Sequence, residues 1–129
     1  MSIRSPDIKA DYLQIRDLEI VRGDTFGLAV RLLVNGQPDI FTASSAVTFA
    51  IYAVGRDPAL LKKYTVDSAV QDEQGYINMY LTPEETATLN TGNRYTYEVE
   101  WRINRDTIYT ILQGAVKVIP DKIRGRSNG

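Results

Sequence analysis

The 129 residues carry 15 basic and 16 acidic side chains, 43% hydrophobic content, and neither cysteine nor histidine. Near-neutral charge supplies no field to gather nucleic acid or an anionic membrane. The missing residue types exclude disulfides, thiolate metal sites and the usual general base near neutral pH.

Residues 1–14 mix charge, Pro6 and scattered apolar side chains, and are expected to form an N-terminal arm. They lack the apolar stretch of a signal peptide, and no later segment reaches the ~20 apolar residues that span a bilayer, so folding in a cytosol is expected. Ile15 to Val21 predicts a short strand, and Arg22-Gly23-Asp24 breaks it. That tripeptide matches an integrin motif, but its place between strands favours a turn. Phe26, Leu28, Val30, Leu32 and Val34 then alternate with smaller or polar residues, the period of a strand with one face in a core.

Asn35-Gly36 signals a turn, and an irregular connection leads to a third strand marked by Val47, Phe49, Ile51 and Ala53. Leu60 to Val70 predicts a fourth strand, in which Lys62 and Lys63 suit an edge. A turn at Asp72–Gly75 feeds Tyr76 to Leu81, with Ile77, Met79 and Leu81 inward. Thr82-Pro83-Glu84-Glu85 is a helix-start signature with a capping box, predicting one helical turn over 83–89 that sets Ala87 or Leu89 against the end of the core. Tyr95, Tyr97, Val99, Trp101 and Ile103 alternate with Arg94, Thr96, Glu98, Glu100 and Arg102, and after Asn104-Arg105-Asp106 a second run, Thr107 to Ile119, completes a long antiparallel hairpin. Residues 120–129 read as a flexible basic tail.

These elements predict an all-β fold: an antiparallel sandwich of about seven strands over residues 15–119, with one helical turn. The expected core is Phe26, Leu28, Val30, Phe49, Ile51, Ile77, Met79, Leu81, Leu89, Tyr97, Val99 and Trp101. Tyr52, Tyr64, Tyr76 and Tyr80 fall on outward positions and are candidate contact residues, since tyrosine offers contact area at low entropic cost.

Chemistry finds little purchase. Asp72/Glu73 sits in a turn, Glu84/Glu85 opens a helix, and Glu98/Glu100 shares a solvent face with Arg94 and Arg102, where charge pairing explains it. No pair points to a catalytic cleft. Calcium ligation through Asp67, Asp72 and Glu73 would be oxygen-only, and their spacing is not that of an EF-hand loop. The expectation is a protein that is not an enzyme, with no catalytic residue, metal, cofactor or small-molecule substrate.

The succession Arg22–Leu32, Phe49–Ile51, Gly75–Leu89, Arg94–Glu100 and Leu112–Val118 resembles the small immunoglobulin-like sandwich domains of tailed-phage virion proteins, such as the N-terminal domain of upper baseplate proteins. The resemblance implies an immunoglobulin-like fold and a structural part of a tail, baseplate or neck. Its implied partners are other virion proteins, in a homo-oligomer or symmetric multi-copy assembly. A capsid decoration or head-fibre protein, or a carbohydrate or host-surface binding module, is the alternative.

Overall fold

A computed structural model describes residues 2–4, 8–9, 14–53, 58–68 and 71–121. Its first strands are short: β1 (Ser2–Arg4), β2 (Ile8–Lys9), β3 (Gln14–Ile15) and β4 (Leu18–Val21). β5 (Phe26–Val30), β6 (Leu32–Val34) and β7 (Gln37–Pro38) precede two eight-residue strands, β8 (Ala46–Ala53) and β9 (Pro58–Thr65). After β10 (Ile77–Leu81) come the helical turn α1 (Pro83–Thr86) and the hairpin of β11 (Tyr95–Asn104) and β12 (Thr107–Ile119).

The hairpin is the centre of a six-stranded sheet in the order β3-β12-β11-β8-β9, with β4 also on β12. The facing layer is β1-β5-β10, and β2-β6-β7 form a small third sheet. Strict alternation puts Val47, Phe49 and Ile51 of β8 and Tyr97, Val99 and Trp101 of β11 on the inner face. They meet Phe26, Leu28 and Val30 of β5 and Ile77, Met79 and Leu81 of β10, with Leu89 at the end, in one buried cluster.

Pairing direction departs from the sequence expectation. β1 pairs with β5, β2 with β6, and β3 and β4 with β12, all parallel. Alternation decides which face a residue takes and is silent about its neighbour's direction. Segments of the expected N-terminal arm are therefore paired strands of the chain's own sandwich. Of the expected C-terminal tail, residues 122–129 lie outside the described residues, and Asp121 is buried.

Polar groups tie the layers together. Trp101 is fully buried, and its indole Nε1 donates to Asp39 Oδ2 at 2.8 Å, while Phe41 meets the ring edge-on at 5.3 Å. Gln71 holds the Asp39 loop by donating to the Asp39 and Gly75 carbonyls and accepting from the Phe41 amide. The capping box forms as expected: Thr82 Oγ1 accepts from the Glu85 amide, and the Glu85 carboxylate accepts from the Thr82 amide. The α-helix ends at Thr86; the Ala87 amide still bonds four residues back to Pro83, and those of Thr88 and Leu89 bond three back, which tightens the end into a turn.

The Arg22-Gly23-Asp24 tripeptide is a turn locked onto this element. Gly23 takes φ +84°, its amide donates to the buried Thr86 hydroxyl, that hydroxyl donates to the Asp24 carbonyl, and Arg22 Nε donates to the Leu89 carbonyl. Lys62 on β9 bridges to Glu85 at 3.0 Å. Burial alone would raise the Glu85 carboxyl, but the Thr82 amide and Lys62 outweigh it and hold it below its usual range.

Trp101→Ala removes the largest buried side chain and leaves the Asp39 carboxylate without its indole donor. We expect a loss of about 3–5 kcal/mol, measured by chemical denaturation. A midpoint matching wild type would refute this placement of the core.

Candidate interaction surface

The outer face of the six-stranded sheet is built by the same alternation that fills the core. Thr48, Ala50 and Tyr52 of β8 point outward, as do Thr96, Glu98, Glu100 and Arg102 of β11. Across the hairpin, Ala115, Gln113, Thr110 and Ile108 stand opposite the β11 residues. A register shift between Val99 and Glu100 lets Ile111 and Leu112 both be buried. Leu61 and Lys63 extend the face on β9, and Ile15 does so on β3. Ile15, Leu61 and Ile108 are its exposed large apolar residues, with Ile15 73% exposed.

A chain crossing follows Ile15. Between β3 and β4 the backbone of Arg16 and Asp17 passes over Gly114, where a Cβ atom would collide with the Arg16 carbonyl. The Tyr97 hydroxyl donates to that carbonyl, the Arg16 amide donates to the Gln113 carbonyl, and the Ala115 amide donates to Asp17 Oδ1. Ile15 stays outside while Leu18 and Ile20 enter the core, by the one alternation that β3 and β4 share along β12.

Two shallow hollows mark the face. One, ≈ 300 Å³, is lined by Ile15, Tyr52, Thr96, Tyr97, Glu98, Gln113 and Gly114. In it the Tyr52 hydroxyl donates to Glu98 at 3.4 Å. Burial raises the Tyr52 pKa, helped by the charge and hydrogen bond of Glu98 and by the charge of Glu100. The other hollow, ≈ 410 Å³, lies toward the loop before β11 and brings Arg94 and Lys117 together with Thr91 and Asn93.

Arg94, Lys117, Glu98 and Glu100 form no ion pair among the described residues. The charge pairing of Glu98 and Glu100 with Arg94 and Arg102 expected from the sequence does not form among the described residues. Glu98 lies opposite Gln113 and Ala50, Glu100 opposite Thr110 and Thr48, and Lys63 stands level with Glu100 but a full strand further away. Arg102 instead donates to the Arg105 carbonyl.

The four candidate tyrosines do not share a site. Tyr52 is half-buried on this face, and Tyr80 is exposed on β10 in the other layer. Tyr64 packs against the core, and its hydroxyl accepts from the Tyr80 amide, covering part of the free edge of β10. Tyr76 is a correction: it is 8% exposed, not outward. The strand begins one residue later at Ile77, and the Asp72 turn holds Tyr76 by its amide, with Arg31 stacked over the ring at 4.8 Å. Ile15, Arg94 and Lys117 were not among the sequence candidates; the pairing of β3 with β12 and the hairpin register place them here. Among the described residues no three potential ligands gather to hold a metal ion.

No family model matches the chain, and no curated protein does. Solved structures do. The N-terminal domain of ORF48 from phage TP901-1 superposes with a TM-score of 0.51 at 13% identity, over 92% of this chain and 96% of that one. A chicken TCR superposes with a TM-score of 0.53 at 15% identity, over 89% of this chain. This chain spans 56% of the TCR chain's length. The fold is an immunoglobulin-like all-β sandwich. The resemblance read from the motifs thus has its counterpart in a phage domain of the same shape.

Burial pushes the Tyr97 hydroxyl up from 10.0 to about 12; the charge of Arg16 opposes this and that of Asp17 adds to it. A folded value above the unfolded one means that the stability is whole below pH 10.0 and is lost as pH climbs toward about 12. Tyr97→Phe should flatten the alkaline loss of stability across that window. An unchanged pH dependence in the variant would show that Tyr97 does not anchor the crossing.

Proposed function

We propose that this chain is a non-enzymatic structural component of a tailed-phage virion, a tail, baseplate or neck part that works through protein–protein contacts and needs no cofactor. The observation that carries the reading is the superposition on the phage ORF48 domain, which spans nearly the whole of both chains. The surface chemistry is in keeping with it. The outer sheet face is broad, holds shallow hollows, and exposes isolated apolar side chains among charged ones. A face of that kind recognises another protein by area and charge, where a deep cleft would recognise a small molecule.

The layers are cross-tied at Trp101–Asp39, at Thr86 and at Lys62–Glu85, so the face is carried on a rigid body. Docking such a preorganised surface costs little conformational entropy. Virions purified from the source of this chain should contain it at a fixed copy number by quantitative mass spectrometry, and retain it through a density gradient. Its absence from the particles would overturn the assignment.

A further inference from the structure

We propose that the hollow between Tyr52 and Ile15 is a socket for an arginine side chain of a different protein, held by Glu98 against the Tyr52 ring. The inference rests on the reading above that the chain works by protein contacts, and gives the chemistry of the partner. Its first support is the surroundings of Glu98, a half-buried carboxylate on the outer face of the sheet. Ala50 and Gln113 flank it on the neighbouring strands, and Thr96 and Glu100 come next along its own. The corner positions on β8 and β12 are uncharged as well. The one charge in the ring around Glu98 is therefore negative, and adjacent carboxylates repel each other.

By register the nearest cations are Lys63, two strands over and level with Glu100, and Arg94 and Arg102, each four residues away on β11. At ~4.8 Å between strands and ~3.4 Å per residue, their Cα atoms lie roughly 12–14 Å from that of Glu98. Glu98 forms no ion pair among the described residues.

The second support is the hollow itself. The Tyr52 hydroxyl donates to Glu98 Oε1, and Oε2 accepts nothing among the described residues. That open oxygen and an aromatic ring stand together in a hollow that Gln113 and Ile15 also line. Its volume, ≈ 300 Å³, is at the bottom of the range for sites that enclose a whole small molecule, and suits one long side chain. A guanidinium fits these groups better than an ammonium does. It stacks flat on a ring while its in-plane donors reach a carboxylate and an amide oxygen. Its methylene stem lies along apolar surface, which Ile15 supplies. Arginine is also the charged residue that interfaces favour.

The test is an NMR titration of the isotope-labelled full chain with a probe peptide, acetyl-Gly-Arg-Gly-amide, and with its citrulline counterpart, which keeps the shape and loses the charge. The arginine peptide should move the amides of Tyr52, Thr96, Glu98 and Gln113 saturably, and less so as salt rises. The citrulline peptide should bind about tenfold more weakly. Glu98→Gln should weaken arginine binding about tenfold, and Tyr52→Leu about threefold. The citrulline comparison is made on wild type, so it stands even where a variant folds poorly. No saturable movement of those amides overturns the proposal. So does citrulline binding equal to arginine, or undiminished binding by folded Glu98→Gln. Movement of the same amides on concentrating the protein alone would give the hollow to a second copy, and overturns it too. None of these results touches the virion assignment, which the particle analysis decides separately.

Discussion

The crossing of Arg16 and Asp17 over Gly114 is the constraint on which the architecture turns. Ile15 lies level with Gln113 and Glu19 level with Lys117, so β3 and β4 hold one register on β12, while the backbone between them presses on the hairpin at Gly114. Only a residue without a side chain tolerates that approach. Three hydrogen bonds secure it, and one of them comes from the hydroxyl of a core tyrosine. Core and surface meet at that point: the Tyr97 ring packs edge-on against Phe49 at 5.9 Å inside, and its hydroxyl holds the backbone that presents Ile15 outside.

The rest of the molecule keeps the two layers in fixed relation. Phe26 and Phe49 join β5 to β8 across the interior at 6.4 Å, and the Trp101 indole fastens the Asp39 loop at the far side. A buried indole without an acceptor would be costly, so the loop and the core residue depend on each other. The Arg22–Asp24 turn and α1 close the end of the sandwich through Thr86, a hydroxyl that is fully buried and satisfied on both sides. The β-sheet face beyond these ties is free to be a docking surface because the fold does not rely on it.

Periodicity revealed the faces of the long strands. The alternation over 95–103 placed Tyr97, Val99 and Trp101 inside, and Thr82–Glu85 announced its own cap. Local pattern could not reveal direction or partner. Ile15 reads as one more apolar residue of a short strand, and nothing near it in sequence tells of Gly114, 99 positions away. Tyr76 misleads for the opposite reason: alternation was carried one residue past the start of β10, into a turn where Asp72 decides the geometry. The hollow that unites Arg94 with Lys117 depends on the hairpin register, which local pattern does not carry.

Two alanine substitutions measure the crossing directly, because the two glycines differ in what surrounds them. At Gly92 a Cβ atom would meet nothing within 4 Å, whereas at Gly114 it would press on the Arg16 carbonyl and its carbon. Chemical denaturation of Gly114→Ala should show a loss of about 2 kcal/mol or more, with Gly92→Ala within about 0.5 kcal/mol of wild type. Equal stability of Gly114→Ala and wild type would contradict the account, since the backbone would then not lie against Gly114.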